Sequence, residues 1–168
     1  MRRNPTRAAL ALIAATGLAA SAHAQVIKYE NTPPARILEA AEVKAGTDIL
    51  FLSGQLASPI DPKKTYADVK SFDDLGDTRT QTISTLAKIK ATLESKGYTL
   101  ADLVKLTLFI APDPKTGKLD FNGANEGFAQ FFRTKDNPGT VARSAFQVAA
   151  LAGPYFLIEI EGIAAKKK

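Results

Sequence analysis

The chain has no cysteine and no tryptophan, and its one histidine is His23. Without cysteine there is no disulfide, no thiolate nucleophile and no cysteine-based zinc site. His23 falls inside an N-terminal segment with the marks of a signal peptide. Ser-His-Asp triads and His-ligated metals are therefore excluded from the rest of the chain. Long apolar sequence is also scarce. The main run, Ala8 to Ala20, is about a dozen residues, short of the roughly 20 that span a bilayer. Arg2, Arg3 and Arg7 precede it and Ala22-His23-Ala24 follows. A basic start, an apolar middle and a small-x-small end predict a signal peptide over 1–24, cut after Ala24. The expected location is periplasmic or secreted, with no membrane attachment after cleavage. Excess charge is scarce too. The chain carries 22 Lys and Arg against 17 Asp and Glu, and losing Arg2, Arg3 and Arg7 leaves 19 against 17. Lys166, Lys167 and Lys168 read as a basic C-terminal tail. The body, residues 25–165, is a single nearly neutral domain with no polyanion-binding surface, so nucleic acid is not an expected partner. No cofactor or metal site is expected. Chemistry is left to carboxylates, Arg, Lys, Ser, Thr, Tyr, backbone groups and water.

Hydrophobic periodicity predicts eight elements. Val26 to Glu30 reads as a short edge strand and Ile37 to Val43 as a second. Ile49 to Gly54 is a continuous apolar run that suits a buried strand. Residues 55–76 read as a long surface loop. In Asp77 to Lys96, Ile83, Leu86, Ile89 and Leu93 recur at helical spacing, and Gly97 is placed to end the helix. Leu103 to Ala111 reads as a strand. A second helix is predicted from Asp120 to Arg133, with Phe121, Ala124, Phe128, Phe131 and Phe132 on a core-facing stripe. Two strands joined by a turn close the chain. The order β-β-β-α-β-α-β-β, with two amphipathic helices, predicts an α+β two-layer domain with both helices on one face of the sheet.

The last two strands place charges in the most apolar sequence. Side chains alternate along a strand, so in Ile158-Glu159-Ile160-Glu161 the isoleucines face the helices and the glutamates face away. In Arg143 to Val148 the same rule sends Phe146 and Val148 one way and Arg143, Ala145 and Gln147 the other. If these strands pair, Arg143 and Glu159 share the uncovered face. A guanidinium fork there suits a carboxylate ligand, and a glutamate can hold a water. A plain surface ion pair fits the pattern equally well.

The segment ARSAFQVAALAGPYFLIEIEGIAA, residues 142–165, resembles the C-terminal signature of the RidA/YjgF family of reactive-intermediate deaminases. Four further segments agree in order: Leu52-Ser53-Gly54-Gln55, Gln81 to Leu93, Asp102 to Thr107, and Asn125 to Phe132. The resemblance implies a chorismate-mutase-like fold with a mixed sheet. It also implies a homotrimer with ligand clefts between subunits. It matches Arg143 to the arginine that grips the substrate carboxylate and Glu159 to the glutamate that positions the hydrolytic water. Ser53, Gly54, Asn125, Phe128 and Ala145 match positions around the ligand. The implied reaction is hydrolysis of a 2-enamine or 2-imino acid to a 2-keto acid and ammonia, without a cofactor. The family's N-terminal tyrosine is missing, since Pro34-Ala35-Arg36-Ile37 stands in its place, and the 56–76 loop is long. Two functions remain open: an enamine or imine hydrolase, or a non-catalytic trimer that binds small carboxylates or a protein.

Overall fold

The computed structural model describes residues 25–167. The expected signal peptide and Lys168 lie outside the described residues. The elements are β1 (Val26–Tyr29), β2 (Ala40–Val43), β3 (Thr47–Leu56), α1 (Thr78–Ser95), β4 (Leu103–Ile110), α2 (Phe121–Phe128), β5 (Ala142–Gln147) and β6 (Ile158–Lys167). Their order is the one expected from periodicity. β1 and β2 pair only with each other, as an antiparallel ribbon. The main sheet runs β3-β6-β4-β5, with β3 and β4 antiparallel to β6 and β5 parallel to β4. β6 continues through Lys166 and Lys167, so two of the three supposed tail lysines belong to the sheet.

β4 is central and shows the alternation most clearly. Leu106, Leu108 and Ile110 are fully buried, whereas Lys105, Thr107 and Phe109 are only half-buried on the opposite face. The buried set meets Ile158, Ile160 and Ala164 of β6, Leu86, Ile89 and Leu93 of α1, and Ala124 and Phe128 of α2. Both helices therefore cover one face. β3 departs from expectation, because it is not buried on both sides. Leu52 points into the core, while Ile49 and Phe51 are 50% and 74% exposed. It is an edge strand of a sheet that the described residues cover on one side only.

Asp77 caps α1 by accepting from the Thr80 amide at 2.8 Å, and Gly97, at φ +74°, ends it with the Tyr98 amide donating to the Leu93 carbonyl. The inward stripe differs from the expected one at its start. Ile83 is half-buried, and Gln81, Thr82 and Thr85 take the interior. Gln81 is fully satisfied there: its amide donates to the carbonyls of Gly76 and Tyr155 and accepts from the Leu157 amide. It thereby ties α1 to the entrance of β6.

α2 stops at Phe128, five residues short of the expected end. The chain then turns through Arg133, which takes a left-handed φ of +60°. The helix crosses α1 closely. A Cβ at Gly127 would lie 2.6 Å from the Thr82 Cβ and 2.9 Å from the Arg79 carbonyl oxygen. Alanine gains about 1 kcal/mol of helix propensity over glycine. Overpacking against backbone costs about 1–3 kcal/mol. Gly127→Ala is therefore expected to lower the urea midpoint of unfolding. An unchanged or raised midpoint would mean that the helices can separate there without cost.

Candidate functional site

β4 and β5 are parallel, so a crossover must join them, and α2 is part of it. Leu106 is the register partner of Arg143, and Leu106 faces the helices. Arg143 does likewise. Its Nη2 donates to the Asn125 Oδ1 at 2.7 Å, and its guanidinium carbon lies 4.5 Å from the centre of the Phe128 ring and 5.7 Å from that of Phe121. Phe121, Asn125 and Phe128 sit at helical spacing on one face of α2, so one helix surface supplies the amide and both rings. Ala145, two residues along β5, shares this face and packs against the core.

This phase is opposite to the one expected. Ser144 and Phe146, not Arg143, turn to the uncovered face. Ser144 accepts from the Lys105 ammonium at 2.7 Å, and Phe146, 45% exposed, meets Phe109 edge to face at 5.2 Å. The expectation assumed that large apolar side chains must point toward the helices. At this edge of the sheet, a buried aromatic on α2 accepts the flat guanidinium instead.

The last two strands do not pair either, because β4 lies between them. Glu159 is the register partner of Phe109 and faces away from the helices. Its carboxylate lies directly over Gly54, where any side chain would collide with it. Gly54 follows Ser53 at the register shift between Leu52 and Gln55 of β3. The predicted residues thus divide into two groups. Arg143, Asn125, Phe128 and Ala145 stand together at β5 and α2. Glu159, Ser53 and Gly54 stand together at β3 and β6. The two edge strands are three strand spacings apart, about 14 Å, and the groups lie on opposite faces. Arg143 and Glu159 of one chain do not form a joint site.

Arg143 is held as a cation in want of an anion. Its Nη1 is buried without a hydrogen-bond partner, and it makes no ion pair among the described residues. Burial, and then the nearby charge of Arg36, push its pKa down to about 10. It remains fully charged at neutral pH. Two neighbours escaped the sequence reading. Phe121 was assigned to the core but is 44% exposed and borders the guanidinium. Arg36 was noted only as part of the segment lacking a tyrosine. Its signal lies in residues 36–38, whose backbone runs along 140–141. Thr140 Oγ1 donates to the Arg36 carbonyl at 2.7 Å, and the Leu38 amide donates to the Val141 carbonyl at 3.2 Å. The long loop packs elsewhere, with Tyr66 against Phe156 and Phe72 against Tyr155.

The chain is a two-layer α+β domain with an unpaired guanidinium beside its crossover helix. The family model described as Endoribonuclease L-PSP matches residues 30–166, and the chain belongs to this family, which is the RidA/YjgF family. It is 38% identical over 143 residues to a RutC family protein from Pyrococcus horikoshii, covering 85% of this chain and 98% of that one. It is 33% identical, with the same coverage, to the 2-iminobutanoate/2-iminopropanoate deaminase of Salmonella typhimurium. Among solved structures it is similar to a conserved Rid-family protein of unknown function from Yersinia pestis. That match has a TM-score of 0.62 and 26% identity, over 84% of this chain and 99% of that one. Escherichia coli TdcF with bound serine matches with a TM-score of 0.54 and 30% identity, over 74% and 85%.

Burial and the nearby Arg36 both disfavour the Arg143 cation, and Asn125 supplies a single hydrogen bond against them. Methionine would keep the apolar stem on Phe128 without the charge. Arg143→Met is expected to leave the thermal midpoint unchanged or raised. A loss of more than about 2 kcal/mol, beyond what one charged hydrogen bond typically contributes, would show that the amide bond and ring contacts outweigh burial.

Proposed function

We propose that the protein hydrolyses 2-imino and 2-enamino acids to 2-keto acids and ammonia after export to the periplasm, in clefts completed between copies of a homotrimer. The observation that carries this reading is the buried, unpartnered Nη1 of Arg143 beside an engaged Nη2. That arrangement is half of a bidentate carboxylate clamp waiting for its ligand. The name of the Salmonella relative supports the substrate class, and the serine bound to the Escherichia coli relative supports a small amino-acid-like ligand.

In this reaction Arg143 binds the substrate carboxylate and Phe128 supports the guanidinium from below. A carboxylate, Glu159, orients a water and takes its proton as the oxygen adds to the imine carbon. The C=N bond becomes a carbinolamine. Protonation of its nitrogen makes ammonia the leaving group, and as the C–N bond breaks the carbinolamine hydroxyl gives up its proton to the glutamate, leaving the keto acid. The imine carbon is already electrophilic, so the residues need only position the reactants. Glu159 cannot reach Arg143 within one chain, so the glutamate comes from a neighbouring copy. The exposed Ile49, Phe51 and Phe146 on the uncovered sheet face support burial of that face against such a copy. A second reading, a non-catalytic carboxylate holder, is favoured by the same separation of Arg143 from Glu159.

The test generates 2-iminobutanoate in situ with an amino-acid oxidase and follows its capture by semicarbazide. The wild-type protein is expected to accelerate loss of the imine, and light scattering is expected to give about three chain masses. Arg143→Ala should lower kcat/KM by about 10–100-fold, the worth of a charged hydrogen-bonded contact. Glu159→Gln should lower kcat by about 100-fold or more, as expected for a lost general base. Binding of 2-oxobutanoate without any acceleration would sink the hydrolase and leave the carboxylate holder.

Gly54→Ala provides an independent check on the glutamate. The added methyl collides only with the Glu159 side chain, which can swing aside. The variant is expected to keep its stability and to show the same loss of kcat as Glu159→Gln. Full activity in Gly54→Ala would remove Glu159 from the reaction in its observed position.

A further inference from the structure

Arg36 is a second cation beside the first, and no carboxylate among the described residues pairs with it. Its Nη1 reaches the backbone carbonyl of Asn125 at 3.5 Å, while Arg143 Nη2 takes the side-chain oxygen of the same residue. Two guanidinium groups therefore converge on one asparagine. Two acids on adjoining segments are already engaged. Glu126, next to Asn125, pairs with Arg79, and Glu30 pairs with Arg133. Neither arginine at Asn125 forms an ion pair among the described residues. Like charges held this close repel, and the arrangement becomes favourable when a counter-anion spans them. Arg36 is placed here by the pinning of its own carbonyl to Thr140, a residue only 1% exposed, three positions before Arg143. It also lines an open cleft of about 420 Å³ with Pro34, Ala35, Ala129, Phe132 and Arg133.

We infer that Arg36 is a specificity-determining residue that selects dicarboxylic ligands, with Arg143 taking the 2-carboxylate and Arg36 the distal carboxylate. The inference deepens the proposed reading and rests on its assignment of Arg143. Within that reading imines of acidic amino acids are preferred to those of small apolar ones. A monocarboxylate fills one cation and leaves the other unmatched. A dicarboxylate answers both. Arg36 is exposed, so its contribution is screened and modest compared with that of Arg143.

The experiment compares the Kd of 2-oxoglutarate with that of 2-oxobutanoate by calorimetry, on the protein expressed from its full-length sequence and on Arg36→Gln and Arg36→Lys. It also compares hydrolysis of 2-iminoglutarate and 2-iminobutanoate, both generated in situ by amino-acid oxidases. The expected result is about a five- to tenfold preference for the dicarboxylate, the scale of one partly screened ion pair. Arg36→Gln should reduce that preference to about twofold or less, and Arg36→Lys should restore part of it. Equal affinity of the wild type for both keto acids would overturn the inference. So would an Arg36→Gln variant that weakens both ligands by the same factor, because Arg36 would then act only on the general field. Dicarboxylate preference in binding without hydrolysis of either imine would remove the hydrolase reading and leave the subsite. Hydrolysis of both imines with equal kcat/KM and no binding preference would remove the subsite and leave the hydrolase.

Discussion

The seating of α2 on the sheet governs both the fold and the site. β4 and β5 run parallel, so the chain between them must cross over, and α2 packs on the sheet as part of that crossing. It approaches α1 so closely at Gly127 that a methyl group has no room. The same seating buries Phe128 completely and stacks it on Phe132 at 4.3 Å between ring centres. The outer side of Phe128 then forms a floor for the Arg143 guanidinium, and Asn125, one turn earlier, takes its Nη2. Core closure and anion-site assembly are thus two consequences of one packing event. A change that lifts α2 off α1 disturbs both.

The position of Arg143 carries an energetic tension. The guanidinium is partly withdrawn from water, one of its nitrogens has no partner, and Arg36 adds a second positive charge nearby. In a structural ion pair these costs would be met by a carboxylate within the chain. Here the adjoining Glu126 and Glu30 are committed to Arg79 and Arg133. A site held in this state gains more from binding an anion than a neutralised one would, because the ligand relieves desolvation and repulsion together. This is consistent with the proposed chemistry, in which substrate carboxylate binding is the main demand on the protein.

The uncovered face poses the complementary problem. Ile49, Phe51 and Phe146 are exposed there beside Lys105, Thr107, Ser144 and Glu161. Glu159 shares that face and lies over Gly54. Its separation from Arg143 by the intervening strand β4 and by the sheet itself means that one chain holds only half of the proposed machinery. Association of copies through this face would bury the apolar residues and bring a glutamate of one copy toward the arginine of another.

Local pattern alone determined the element order, the helix starts at Asp77 and Asp120, the stop at Gly97, and the inward phase of Ile158 and Ile160. Each depends on near neighbours in the chain: periodicity, a side-chain oxygen three residues ahead of an amide, a glycine free to take positive φ. The motifs also sufficed for the family. What they could not supply was long-range placement. Strand order is set by which crossover packs, and that put β4 between β5 and β6. The phase of β5 was misjudged because Phe146 outranks Arg143 in hydrophobicity. Only the seating of Phe128 shows that the helix-facing position at this edge suits a flat cation better than a phenyl ring. Arg36 stood in a segment read simply as lacking a tyrosine. Its nearness to Arg143, more than a hundred residues later, arises from the Thr140 hydroxyl on its carbonyl. Sequence decides what each segment can become on its own. Tertiary structure decides which charges must share a space, because that depends on contacts between segments that local pattern does not record.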